Sequence, residues 1–315
     1  MSVKPAPAAA PSTQPPQQQG ETQLCGGRLI VARVAWGAGS ALVLALFLAS
    51  LPAYVTHLQT ICLLQPCPYL QLTPSGVRTL HDLGLSIAGY AALTLAFSLG
   101  SAVVWMVRGG MLVWRRSDDW VALLVAFLLV VGGASNGINV GATPSQVGWQ
   151  VQANLLGFLN GLAIVAVLAL FPNGRFVPRW SRWVILAFLL ASVPHQFFPG
   201  WEARLPGWAS LLGLLDFVGA LGLLLLAQLY RYWRVSTPLQ RQQTKWILFS
   251  LGAGVVVFLG WGLVERFVPA LNGSLSDPAN AYLNDVGSLF FPIAFAVAIL
   301  RYRLWDIDTI INRTL

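Results

Sequence analysis

Charged residues are scarce in this chain, and their scarcity excludes most soluble folds. Only 10% of its 315 residues are Asp, Glu, Lys or Arg, whereas 56% are hydrophobic. Soluble domains usually carry about 25% charged residues, whereas a bilayer interior admits few because each charge is costly to desolvate. The mean hydropathy of +0.67 points the same way. We therefore predict an all-α fold, a polytopic transmembrane helical bundle.

Histidine is also scarce, and soluble enzyme motifs are missing from the sequence. The three histidines, His57, His81 and His195, fall on or near one predicted side of the membrane, where we expect solvated loop positions. No two of them have metal-ligand spacing on one helix face. The sequence has neither a phosphate-binding glycine-rich loop nor a legible Ser-His-Asp arrangement. We therefore expect no catalytic residue, no metal and no cofactor.

About eight apolar stretches approach the length that crosses a bilayer. A spanning helix needs roughly 20 apolar residues, each rising about 1.5 Å. The fifth and the eighth stretches are the shortest. The predicted spans are Val31–Tyr54, Leu83–Val107, Trp120–Val140, Val151–Leu170, Trp183–Phe198, Trp208–Tyr230, Trp246–Val268 and Val286–Leu300.

Lysine and arginine fix the predicted orientation. If the N-terminus is inside, all of the 19 basic residues except Arg78, Arg204 and Arg266 fall on the inner side. Cytoplasmic loops carry such an excess, so we expect both termini in the cytoplasm and the chain in a bacterial inner membrane. The net charge of +8 is then explained by contact with the lipid bilayer. We expect no nucleic acid partner.

The chain divides into three predicted regions. Residues 1–28 form a Pro/Gln/Ala-rich cytoplasmic tail that buries too little apolar surface to be ordered. Residues 29–300 form the transmembrane helical domain, which includes a long outer loop at 55–82. Residues 301–315 form an amphipathic connector on the cytoplasmic side, because apolar residues recur there at helical spacing.

The outer loop contains two of the three cysteines. Cys62 and Cys67 lie five residues apart across a proline bend, so their sulfur atoms can approach each other. The outer side of a bacterial membrane is oxidising. We predict a disulfide between them that pins the loop.

Few polar groups lie inside the predicted spans. Asp216 is about two turns into the sixth span, where an aspartate costs on the order of 3 kcal/mol. Asn154 and Asn160 lie in the fourth span and need partners within the bundle. These three residues are the intramembrane polar candidates; a structural role and a ligand- or proton-sensing role both stay open for Asp216.

Three inner-side segments, read in order, carry a family resemblance: FPNGRFVPRW, RQQTKW and LRYRLWDIDTIINRTL. The chain resembles the N-terminal multi-pass membrane sensor region of Chloroflexi and actinobacterial histidine kinases and kinase-like membrane proteins. The similarity covers most of residues 50–315. The motif residues are Phe171, Pro172, Asn173, Gly174, Arg175, Arg241, Gln242, Gln243, Lys245, Trp246, Arg303, Leu304, Asp306, Ile307, Asp308, Asn312 and Arg313.

The resemblance implies a membrane module that senses a stimulus and transmits a signal within a two-component system. Its implied partners are cytoplasmic kinase or GAF-type domains, and a homo-oligomer is left open. The phosphoacceptor helix and the ATP-binding domain of a kinase are not found before Leu315, so we expect no enzyme activity in this chain. Two alternatives stay open: a small-solute transporter or channel, and a truncated or degenerate membrane protein without independent activity.

Overall fold

A computed structural model describes residues 22–63, 67–137, 147–198, 211–236 and 276–297, together with isolated positions between 240 and 267. The described residues are helical, and their only β-type pairing is two isolated bridges. The predicted all-α fold is therefore confirmed for this part of the chain. The helices are α1 Gly27–Gln59, α2 Pro74–Asp82, α3 Ile87–Arg116, α4 Trp120–Gly137, α5 Val147–Leu170, α6 Ser181–Phe197, α7 Leu211–Arg234, α8 Ser276–Ser288 and α9 Phe290–Ala296.

Among the described residues, three helices are long and apolar enough to cross a membrane. They are α1, α3 and the stretch Gln150–Leu170 of α5. Large apolar side chains such as Val34 and Leu48 of α1 are more than half exposed. Because lipid tails accept such side chains and water does not, these faces suit a bilayer.

The helix α4 lies at the centre of the bundle. Its side chains are buried on nearly all sides, and it packs against α1, α3 and α5. A Cβ atom added to Gly132 or Gly133 would come within 3.0 Å of the Trp105 side chain of α3. Small residues are common where membrane helices approach each other closely, and these two glycines leave room for the Trp105 side chain.

The two ends of the bundle differ in character. The basic end contains the α3–α4 turn, the α5–α6 turn and the last turn of α7 with Arg231 and Arg234. There, Arg33 of α1 donates a 2.6 Å hydrogen bond to Ser117. The disulfide end contains α2 and the loop that holds Cys62 and Cys67.

The chain is already ordered before α1 begins. The Leu24 amide donates to the Asp118 carbonyl, and the Trp120 amide donates to the Thr22 carbonyl. The Asp119 carboxylate caps α4 by accepting from the Val121 amide at 3.0 Å. Residues 22–24, which the sequence assigned to a disordered tail at 1–28, are thus held against the α3–α4 turn.

The stretch predicted as the eighth span forms two helices in its described part. The helix α8 begins at Ser276, ten residues before the predicted start. The helix is interrupted at Leu289, and α9 follows. Pro292 explains part of this break. Proline has no amide hydrogen, so position 292 cannot donate the usual helical hydrogen bond to the Ser288 carbonyl.

Candidate functional site

The first candidate element is the turn that follows α5, called here the FPNGR turn (Phe171–Arg175). The Gly174 amide donates to the Leu170 carbonyl at 2.7 Å, which closes the turn. Gly174 has φ +72°, in the left-handed region that favours glycine. A Cβ atom there would also overlap the Trp120 ring of α4. Both facts make glycine necessary at this position.

Two side chains of α7 hold the FPNGR turn from inside the protein. Gln228 donates from Nε2 to the Phe171 carbonyl at 3.0 Å. Arg231 is only 2% exposed, and its guanidinium donates to the carbonyls of Phe171, Ala169 and Arg175. Hydrogen bonds from an ionised donor are about twice as strong as neutral ones. The backbone of the turn is therefore fixed by a buried cation.

Arg231 was not singled out from the sequence, which grouped it with the inner-side arginines. A signal did exist. Arg231 follows the predicted sixth span directly and lies three residues after Gln228, so both side chains share one helix face. A polar pair on one face at the end of an apolar helix indicates a common partner.

The second candidate element is a polar cluster in the half of the bundle nearer the disulfide end. Tyr282 of α8 shares a 2.8 Å hydrogen bond with Thr94 of α3. Tyr54 of α1 lies 3.4 Å from the Ser98 hydroxyl. Asp285, one turn beyond Tyr282, interacts electrostatically with both phenol groups. We call these five residues the polar cluster.

Asp285 is the only acidic member of the polar cluster and its least satisfied one. Its side chain is 3% exposed, and Oδ1 has no hydrogen-bond partner among the described residues. Buried polar atoms are nearly always hydrogen-bonded, so such an exception calls for an explanation. The sequence favoured Asp216 instead, which lies in α7 at a position whose side chain is outside the described part.

Aromatic contacts join the helices of the polar cluster to the FPNGR turn. Phe291, at the start of α9, stacks on Trp105 of α3 with ring centroids 6.4 Å apart. Phe295, one turn further along, packs edge-on against Phe171 of the turn at 6.2 Å. The helices α8 and α9 therefore contact both candidate elements.

The disulfide loop packs onto α1 and α3. Cys62 and Cys67 form a disulfide with Cα atoms 5.8 Å apart. His57 is 3% exposed, and its Nε2 lies 2.9 Å from the Tyr69 carbonyl. The expectation that all histidines are solvated is thus wrong for His57. A ring nitrogen bonded to this loop is a structural contact.

The two asparagine candidates contact different neighbours. Asn154 of α5 donates to the Gln196 carbonyl of α6 at 2.6 Å, and Gln196 donates back to the Asn154 carbonyl at 3.5 Å. Asn160 is half-buried. Its Oδ1 lies beside Gly132 of α4, 3.5 Å from the position that a Cβ atom on this glycine would take. Neither residue joins the polar cluster around Asp285.

The remaining motif residues are described only in part. Arg241 and Lys245 are exposed, and Trp246 is half-buried and packs edge-on against Phe249 at 6.4 Å. Thr244, between them, is fully buried. Other predicted motif residues lie outside the described part of the chain: Gln242, Gln243, Arg303, Leu304, Asp306, Ile307, Asp308, Asn312 and Arg313.

Comparisons with known proteins found no match. No protein-family model matches it, no curated protein matches it, and no solved structure matches it. Within the described ranges, no group of three or more His, Cys, Asp or Glu side chains is placed to hold a metal.

Proposed function

We propose that this chain is a membrane signal-transducing module, which a stimulus at the polar cluster switches by moving α8 and α9. The observation that carries the proposal is the contact between Phe295 and Phe171. It joins the helix pair that bears Asp285 to the FPNGR turn. The family resemblance of the same turn to sensor regions of histidine kinases supports this role.

The proposed arrangement has the basic end in the cytoplasm and the disulfide end outside. The exposed residues Arg175, Arg179 and Arg182 of the basic end agree with this orientation, since cytoplasmic loops are rich in such residues. We propose about eight spans in a bacterial inner membrane. A cytoplasmic kinase or GAF-type domain would receive the signal from the basic end.

The break between α8 and α9 makes a switch physically reasonable. A helix interrupted at Leu289 can change its angle there without disrupting hydrogen bonds along its whole length. The α9 segment beyond the break carries both aromatic contacts, through Phe291 and Phe295. A small change in the angle of α9 would therefore alter its contacts with Trp105 and with the FPNGR turn.

Hydrogen exchange measured by mass spectrometry on the full chain in lipid nanodiscs tests the proposal. The variant Asp285→Asn removes the charge and keeps the side-chain volume. We expect the amides of Gly174 and Ser236, which donate to Leu170 and Arg231, to change their exchange rate at least about threefold. The matched control is Asp82→Asn, an exposed residue of α2.

Unchanged exchange at both amides in Asp285→Asn, with the variant folded, contradicts signal transmission. It is also what a degenerate protein without activity would show. If Asp82→Asn alters these amides as much as Asp285→Asn does, the polar cluster has no special link to the turn.

A transporter or channel is the second candidate, and one observation favours it. A buried carboxylate beside a broken helix is typical of ion sites in transporters. Liposomes that contain the full chain would then show sodium or proton flux above that of empty liposomes, and Asp285→Asn would abolish it. Flux equal to that of empty liposomes rejects this alternative for these two ions.

A further inference from the structure

We propose that the polar cluster is a binding site for one monovalent cation, a proton or a sodium ion, with the Asp285 carboxylate as its anionic ligand. The inference deepens the proposed function, on which it rests, by naming the ligand class of the input site. It begins from a buried acid whose Oδ1 has no partner among the described residues.

Among the described residues, the charge of Asp285 has no counterpart on the elements packed against it. The described titratable groups that face it are the phenols of Tyr54 and Tyr282, which are neutral donors. The described helix α9 has the sequence FFPIAFA and carries no titratable group. On α3 the nearest arginine, Arg108, lies about 21 Å along the helix axis beyond Thr94.

A buried carboxylate without a cation is strongly unfavourable, because it loses water and gains no charge partner. A bound cation removes this cost, and a proton does so by making the group neutral. The requirement is for one positive charge, since the described residues offer one carboxylate here. Divalent cations such as calcium usually require more acidic ligands.

The chemistry around Asp285 suits a hard cation. The neighbouring polar groups are hydroxyls, from Tyr282 with Thr94 and from Tyr54 with Ser98. Ser288 follows Asp285 by three residues, and its carbonyl lacks the usual helical donor because position 292 is proline. Oxygen donors and freed backbone carbonyls at a broken helix are the groups that hold sodium in membrane proteins.

Thermal unfolding of the full chain in nanodiscs tests the site directly. In choline chloride we expect the Tm of the wild-type chain to fall by at least about 3 °C between about pH 5 and about pH 9. Loss of the proton leaves the carboxylate unpaired, which destabilises the fold. If sodium is a ligand, replacing choline with about 150 mM sodium at the higher pH restores the Tm, at unchanged ionic strength.

Two variants separate the site from other titrating groups. Asp285→Asn should lose most of the pH-dependent shift and all of the sodium effect, whereas Asp82→Asn should keep the wild-type profile. Tyr282→Phe keeps the ring that stacks on Phe97 and removes the hydroxyl, and should weaken any sodium effect at least about threefold in apparent affinity.

A pH effect without a sodium effect identifies a proton site, and a sodium effect identifies a sodium site. A Tm that depends on pH and sodium as strongly in Asp285→Asn as in the wild type overturns the inference. The result is independent of the exchange experiment: the cation can bind without reaching the FPNGR turn, and the turn can respond to Asp285→Asn without a cation site.

Discussion

Arg231 and Asp285 are buried residues of opposite charge, and their surroundings differ. Arg231 places its guanidinium against three backbone carbonyls of the FPNGR turn and its approach. Asp285 is as deeply buried, and its Oδ1 has no partner among the described residues, whereas at Arg231 both terminal nitrogens are bonded and Nε alone lacks a partner there. Fixed carbonyl dipoles stabilise the charge of Arg231. We propose that a reversibly bound cation neutralises the charge of Asp285.

This difference separates a structural site from a switchable one. The Arg231 guanidinium would lose strong hydrogen bonds if it moved away from the carbonyls of the turn. A carboxylate beside hydroxyls and a helix break can exist with or without its charge, and the two forms favour different packing. We therefore propose that Arg231 fixes the position of the FPNGR turn and that Asp285 receives the stimulus.

Removal of Arg231 should have the largest effect on stability. Arg231→Met keeps the length and removes the donors, so the carbonyls of Phe171, Ala169 and Arg175 lose their partner. We expect the free energy of unfolding to fall by about 3 kcal/mol. Chemical denaturation measures it, with the exposed Arg234→Met as the matched control. Equal effects of the two variants would refute the structural role of Arg231.

Gly174→Ala should be the next most damaging change. The new Cβ atom meets the Trp120 ring, and alanine is strained at φ +72°. We expect a loss of about 2 kcal/mol in the free energy of unfolding. The control is Gly110→Ala. Gly110 is exposed on a helix, and a Cβ atom added there has no neighbouring atom within 4 Å. A Gly174→Ala chain as stable as the Gly110→Ala chain would show that the turn tolerates displacement.

Phe295→Leu tests the connection between the two charged sites. Phe295 is buried against the turn, with 3% of its side chain exposed. The smaller leucine should lower the free energy of unfolding by about 1 kcal/mol. The important readout is hydrogen exchange at Gly174, which should no longer respond to Asp285→Asn. Phe290→Leu is the control, because Phe290 is 45% exposed on the same helix. A response that persists in Phe295→Leu places the connection elsewhere.

Asn154→Ala should have the smallest effect and gives a baseline for a polar contact far from both charges. Its hydrogen bond with Gln196 joins α5 and α6. Interhelical hydrogen bonds in membranes contribute about 0.6 kcal/mol on average. Chemical denaturation of Asn154→Ala should show a loss of that order in the free energy of unfolding. Gln196→Ala is the matched comparison, because it keeps the backbone carbonyl to which Asn154 donates. A loss of several kcal/mol in Asn154→Ala would mean that this contact, too, is a main stabilising site.

The sequence was sufficient for the all-α class and for the position of several helices, and insufficient for the faces of those helices. The boundary Trp120 of α4 agrees with the predicted span because an apolar run begins there. Which face of a helix meets another helix could not be read, since lipid and protein interior are both apolar. On α1, the exposed Leu42 and the buried Val43 are adjacent residues of the same chemical kind.

The two charged sites escaped prediction for a related reason. Arg231 and Asp285 lie at or near the ends of predicted spans, where solvation by lipid headgroups or water is the ordinary expectation. Their burial results from contacts with α3 and the FPNGR turn, which are distant in sequence. The break at Leu289 was hidden as well, because an apolar run continues through it.

A distance measurement between α9 and the FPNGR turn tests the central claim most directly. Spin labels at Phe176, next to the turn, and at Ile293 of α9, both exposed, would report this separation in nanodiscs. The turn is the fixed reference because α7 holds its backbone through Gln228 and Arg231. We predict that Asp285→Asn shifts the main distance by at least about 2 Å. Identical distance distributions in the wild type and in Asp285→Asn would contradict the claim that the polar cluster moves α9 relative to the turn.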